Sequence, residues 1–293
     1  MKAIDHELEL TTRGVLATED WAEGYSKAPK QHAQLIKNTA KLHRQVLVYF
    51  RDLANEASSF VDWYAYARAV IEQKNALKAS ANVQAYDVKV VVNNDAVNQS
   101  DQTFIKLVFD TLASTIALGA DSMDEEFSIP VGLSSTSAIV QDLTSDQLAN
   151  LVGMKVDKTT GLITPNANPA YSIDETTRSK IANSIKTSIQ LGENQQQAVE
   201  RLMKVIADPV RADMIARTET VRAYAEGRAA YAKQSNAVAK HWYDSNAIDE
   251  CADNTAEGWI PAGDDFESGD PNEPAHPNCK CITLYSYDPA DLE

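Results

Sequence analysis

The chain has 293 residues, 44% hydrophobic and 24% charged. This is the make-up of a globular protein long enough to bury a sizeable core in one large domain or two modest ones. The net charge of −15 is concentrated in residues 244–293, where thirteen acids face a single lysine; direct binding of free DNA, which needs Lys and Arg against phosphates, is therefore not expected. Acidity of this kind also serves solubility alone. No apolar run reaches the roughly eighteen residues of a membrane span, so no membrane partner is expected. The start, MKAIDHELEL, lacks the apolar centre of a secretory signal, which predicts synthesis in a cytoplasm.

Residues 30–75 contain no Gly or Pro and repeat apolar side chains at Leu35, Leu42, Val46, Tyr49, Phe50 and Leu53, a helical spacing. YDVKVVVNN, residues 86–94, is rich in β-branched side chains and reads as a short strand. An apolar helix is predicted over about 100–120, with Ser100 as its N-cap. SIPVGLSST reads as a loop, and TSDQLANLVGM as a short helix opened by Thr144 or Ser145. Gly161, Pro165 and Pro169 mark a loop or hairpin, which places a domain boundary near 170. Three helices are then expected in close order: one opened by Ser172 and closed by Gly192, a second over about 193–207, and a third from Pro209 to about 234. VAKHWYDS and CKCITLYSY read as strands flanking a polar loop.

The three cysteines are Cys251, Cys279 and Cys281, too few for a disulfide framework but clustered beside His276. Two cysteines two apart on a strand share a face. His276 and Pro277 form a turn that can carry the imidazole over that face, and Cys251 enters from the other end of the loop. Cys251, His276, Cys279 and Cys281 make a Cys3His set suited to one closed, structural zinc. A structural zinc contributes about 10–16 kcal/mol in small domains, against about 2–4 kcal/mol for a disulfide. The alternatives are reduced thiols, or a disulfide from Cys251, in a loop that packs unaided. A catalytic zinc is the third reading, but four protein ligands leave no open position for it. His241, next to Trp242, reads as a strand residue and not as a ligand.

ARTET, residues 216–220, is the second feature. Arg217 can pair with Asp213 and Glu219 with Arg222 on the helix surface, which makes it a solvated charged face. The sharper expectation is that Arg217 and Glu219 anchor the terminal loop from the helix side. No Ser-His-Asp arrangement, phosphate-binding loop or dinucleotide turn is present.

In order along the chain come IARTETVRAYAEGRAAY, a strand around HWYDS, an acidic DEC, a GWIP turn and HPNCKC running into a last strand. This combination resembles the phage head morphogenesis family, the Mu F-like minor head proteins, over about residues 175–287. The resemblance directs attention to Arg217, Thr218, Glu219, Trp242, Gly258 and Pro277 as structural or interaction residues. Members often carry Cys-x-x-Cys where this chain has CADN, so Asn254 stands at the second position and either a ligand is lost or His276 replaces it.

The resemblance implies a mainly α protein with a small α+β C-terminal subdomain, a short antiparallel sheet around the Cys/His loop. Residues 1–170 would be the helical, partner-facing part and 171–293 the family domain. The implied role is that of a minor head protein of a tailed phage or prophage, present in few copies inside the capsid or at the portal vertex. Its partners would be the portal, the major capsid protein, or both. A zinc-dependent hydrolase with Glu219 as base, or a zinc-stapled nucleic-acid module, are the competing classes.

Overall fold

A computed structural model describes residues 23–78, 94–157, 159–160, 163–166, 172–244 and 250–293. Among them the protein is mainly helical, with small antiparallel sheets. The helices are α1 (Pro29–Asn55), α2 (Trp63–Lys78), α3 (Asn94–Phe127), α4 (Ala138–Leu151), α5 (Ile173–Leu191), α6 (Gln195–Ile206), α7 (Pro209–Ser235) and α8 (Glu250–Ala256). The strands are β1 (Met154–Val156), β2 (Ile163–Pro165), β3 (Ala239–Tyr243), β4 (Trp259–Pro261) and β5 (Ile282–Ser286). The strand expected at 86–94 lies, apart from its last residue, outside the described residues; that residue, Asn94, begins α3.

Several boundaries differ from expectation for local reasons. The helical run from residue 30 is broken by a 3-10 turn at Ala57–Phe60. Asp62 then restarts it, its Oδ1 accepting the N–H groups of Tyr64 and Ala65, each at 3.0 Å. α3 begins at Asn94, so Ser100 is an interior residue and not its cap. α4 begins at Ala138, and the hydroxyls of Thr144 and Ser145 bond back to the carbonyls of Val140 (2.7 Å) and Gln141 (2.8 Å). That back-bonding satisfies the hydroxyls inside the helix and leaves no capping role. α5 follows Ser172 and closes where Gly192 N and Glu193 N donate to the carbonyls of Ile189 and Ser188, both at 3.0 Å. α6 opens with a reciprocal cap: Gln197 N donates to Asn194 Oδ1, and Asn194 N donates to Gln197 Oε1, each at 2.9 Å.

One window, Thr103–Phe127 within α3, has a mean hydropathy of 1.4 and the length to cross a membrane. Its apolar side chains Phe104, Val108, Leu112, Ile116 and Met123 are buried against the protein itself, which marks it as a core helix.

The chain forms two compact units. One holds Val46–Leu107 and Leu148–Pro209. There α5 and α6 pack together, Tyr49 and Phe104 stack at 4.5 Å, and Tyr66 donates to the Glu193 carbonyl at 3.0 Å. Arg201 grips the Glu193 carboxylate through two nitrogens, at 3.0 and 2.5 Å. β1 and β2 form the hairpin read from the sequence, in antiparallel register Lys155 to Thr164.

The other unit comprises Met1–Gln45, Val108–Gln147 and Val210–Glu293. In it α3 and α7 cross at two glycines: a Cβ on Gly119 would strike the Tyr224 carbonyl, and one on Gly227 the Ile116 carbonyl. Asn38 donates to Thr115 at 3.0 Å, and the hydroxyls of Thr39 and Thr220 meet at 2.9 Å. These pairs satisfy polar atoms within a buried helix contact. α7 leads into the three-stranded sheet, whose order is β4-β3-β5, all antiparallel. Tyr25, Leu35, Tyr224 and Ile282 form a buried apolar cluster that joins helices to sheet.

Candidate metal centre

The central strand β3 carries two residues that organise the terminal loop. Lys240 and Trp242 are two apart and share a face. Trp242 is fully buried and meets Phe266 edge to face, with ring centroids 5.2 Å apart. Lys240 Nζ lies 4.8 Å from the centre of the same ring and donates to the Pro271 carbonyl at 2.6 Å. Burial lowers the Lys240 pKa. A buried ammonium inside an acidic segment is thus one anchor of a loop that has little apolar surface of its own.

Glu273 is the second anchor. Its Oε2 accepts from Thr283 N (2.9 Å) and Thr283 Oγ1 (2.5 Å) on β5. Burial pushes its pKa up to about 7, against the opposing pull of those bonds and of Arg228. Tyr285 adds a bond to Asn272 Oδ1 at 2.8 Å. Neither Lys240 nor Glu273 was singled out in the sequence. A lone lysine in a strand and one acid among thirteen carry no local mark of burial.

Between these anchors and the short helix α8 lies the cysteine cluster. Cys251, on α8, and Cys279 and Cys281, ahead of β5, are free and each 1–2% exposed. With Trp242, Phe266 and Ala275 they form one buried apolar cluster. Among the described residues, the ligand atoms of Cys251, His276 and Cys279 all lie within 4.8 Å of one another. The Cys281 thiol interacts with both other sulfurs. The structure therefore brings the four residues read from the sequence into one place, the tight set being three of them. The disulfide alternative is not realised, since the Cys251 and Cys279 sulfurs stand 3.8 Å apart.

The strand reading of the two C-terminal cysteines needs correction. β5 begins only at Ile282, opposite Tyr243, the last residue of β3. Before it the chain turns, with Cys279 N donating to the His276 carbonyl at 3.2 Å and Asn278 in the left-handed region at φ 63°. The Cys281 carbonyl is taken by the Tyr25 hydroxyl at 3.0 Å in place of a strand partner. The sulfurs converge through this turn and not through strand alternation.

His276 Nδ1 lies 2.9 Å from the Pro277 carbonyl. As donor to that carbonyl it leaves Nε2 with the free lone pair, the arrangement that orients a ligating imidazole. The sulfurs polarise one another. Cys279 is held well below the usual thiol range by hydrogen bonds from the Cys251 and Cys281 thiols and from backbone N–H groups. Cys251 is pushed up by its bond to Cys279, and Cys281 by its bonds to Cys251 and Cys279.

The donor set fits a metal ion. Thiolates with one imidazole suit zinc over hard, oxygen-seeking cations. A tetrahedron with metal–sulfur bonds of about 2.3 Å has an edge of about 3.8 Å, the separation seen between Cys251 and Cys279.

The helix side anchors the loop through Thr218, one of the residues to which the resemblance drew attention, and not through Arg217 or Glu219. Arg217 pairs with Asp213 at 2.9 Å. Glu219 lies 3.5 Å from Arg222 and accepts from Gln147 Nε2 at 2.9 Å. Thr218, between them, is the one that reaches the loop: its hydroxyl accepts from Asn278 N at 3.0 Å while donating to the Met214 carbonyl at 2.8 Å. Gly258, with φ 75°, ends α8 and turns the chain into β4, a conformation that side chains disfavour. His241 stacks on Trp259 at 5.3 Å within the sheet and takes no part in the cluster's tight set.

A family model described as phage Mu protein F like protein matches residues 179–284. The matched segment includes α7, β3, β4, the start of β5 and all four Cys/His residues. No curated protein and no solved structure gives a significant match to the chain.

Proposed function

We propose that the protein has a phage head morphogenesis role, as a minor head protein acting near the portal; the support is the match of residues 179–284 to the phage Mu F-like family model. In this reading it takes part in procapsid assembly or in packaging and ejection of the genome, in few copies inside the capsid. The family match carries the proposal. The acidic terminal segment supports a protein partner over free DNA.

The C-terminal segment serves as a rigid module closed by one structural zinc at Cys251, His276, Cys279 and Cys281. Its support is the convergence of Cys251, His276 and Cys279, with Cys281 beside them, in a core where each cysteine is only 1–2% exposed. Turnover chemistry is not part of the reading, because four protein ligands leave no open position on the metal. Glu219, the base that a hydrolase would need, is occupied by Arg222 and Gln147.

Residues 1–170 face the partner, the portal or the major capsid protein. On α2, Tyr64 (76% exposed) and Ile71 (57% exposed) are seven apart and share a helix face, which gives that region apolar contact surface. The test is fractionation of particles from cells carrying the phage. Co-purification of the chain with procapsids or with the portal is expected; its absence from both, with the protein soluble and folded, would overturn the proposal.

A further inference from the structure

Asn254 has no account in the fold. Its side chain is 0% exposed, and neither Nδ2 nor Oδ1 has a hydrogen-bond partner. Burying an amide unsatisfied costs about 1–3 kcal/mol, and an apolar side chain of similar size would avoid that cost. Asn254 follows Cys251 by three residues on α8, so the two side chains lie on one helix face. The amide is therefore directed to the side from which Cys251 enters the core.

A second orphan stands in the core that Cys251 enters. Trp242 Nε1 is buried without an acceptor, and its ring packs in the cluster that contains all three sulfurs. Two N–H donors without acceptors thus accompany three sulfurs. Thiols are weak acceptors. Metal-bound thiolates carry charge and accept N–H bonds well, and three of them around a divalent cation leave one buried negative charge to be stabilised.

We propose that Asn254 is a positioning residue of the metal centre, its Nδ2–H donating to a metal-bound thiolate. The inference rests on the metal reading given above. Partners of ligating side chains set ligand orientation, and their loss typically weakens metal binding by about 10- to 100-fold. An amide that finds its acceptor only in the loaded state also ties closure of α8 to metal uptake.

The test is a cobalt(II) titration of the full chain stripped of metal, read by sulfur-to-cobalt charge-transfer absorption. Wild type should bind one ion. Asn254→Ala should bind about 10-fold more weakly, with a shifted charge-transfer band. Asn254→Asp, which keeps the shape but removes the donor and adds negative charge, should bind more weakly still. The metal-free Asn254→Ala protein should melt no lower than metal-free wild type, because the group it loses is unsatisfied there. If Asn254→Ala does not fold, Asn254→Asp carries the comparison. Wild-type affinity and spectrum in both variants would overturn the role of Asn254 and leave the metal reading standing. So would a lower melting temperature of metal-free Asn254→Ala with cobalt binding unchanged. No cobalt binding by wild type would overturn both.

Discussion

Glu273 has a buried carboxyl group whose ordinary pKa of 4.5 rises to about 7. Below pH 4.5 it is protonated in the folded and the unfolded chain alike. Above 7 it is ionised in both, and the folded state bears the full cost of the buried charge. Stability is therefore lost as pH rises from 4.5 through 7, by an amount on the order of 3 kcal/mol. Glu273→Gln removes this dependence: relative to wild type, its melting temperature should climb between pH 5 and pH 8, measured with a chelator present. A difference that stays constant across that range would contradict the assignment. Thr218 makes a local prediction. Thr218→Val leaves Asn278 N without an acceptor, at a cost of about 1–3 kcal/mol. Proteolysis within residues 262–279 should quicken while helical circular dichroism is unchanged. The cysteines and His276 were legible in the sequence because all three cysteines lie in the last 43 residues, beside that histidine. Thr218 was named with its charged neighbours, but the loop anchor was expected of Arg217 and Glu219, because the role of Thr218 depends on a turn at Asn278 that no periodicity announces.

Helix–helix packing in the unit built on α7 turns on Gly119 and Gly227, where each Cα faces a carbonyl of the opposite helix. Gly227→Ala forces two backbones apart. It should cost about 3 kcal/mol, the upper end of the range for overpacking, as read by chemical denaturation. Gly258→Ala meets nothing within 4 Å, and its cost is limited to a strained φ, about 1–2 kcal/mol. Equal losses in the two variants would contradict the close crossing. Helix ends set by local chemistry were readable, as at Ser172, Gly192 and Pro209. Ends set by tertiary pairing were not. β5 starts where β3 gives it a partner, so the cysteines fell outside the strand that their alternation predicted. Ser100, Thr144 and Ser145 are good caps by type, but the helices begin earlier and absorb them.

For the molecule as a whole, the fold class and the likeness of residues 179–284 to the phage Mu F-like model were legible because the ordered motifs of that segment are specific in combination. The N-terminal half offered composition and helical periodicity, which set a fold class and name no partner. The terminal segment draws its order from three sources: Lys240 under Phe266, Glu273 against Thr283, and the sulfur–imidazole cluster. The first two are intrinsic to the chain; the third, in the proposed reading, is completed by a zinc ion. Metal removal should therefore loosen residues 250–287 while α1 to α7 persist. Cys279→Ser should do the same, seen as selective loss of amide-exchange protection in that segment. The most direct measurement is the metal content of the chain purified without chelator, set beside Cys279→Ser prepared in the same way. The expected result is one zinc per wild-type chain and none in the variant, with helical content equal in the two. A folded wild-type chain that carries no metal, takes none up when zinc is supplied, and protects residues 250–287 as well with chelator as without would contradict it.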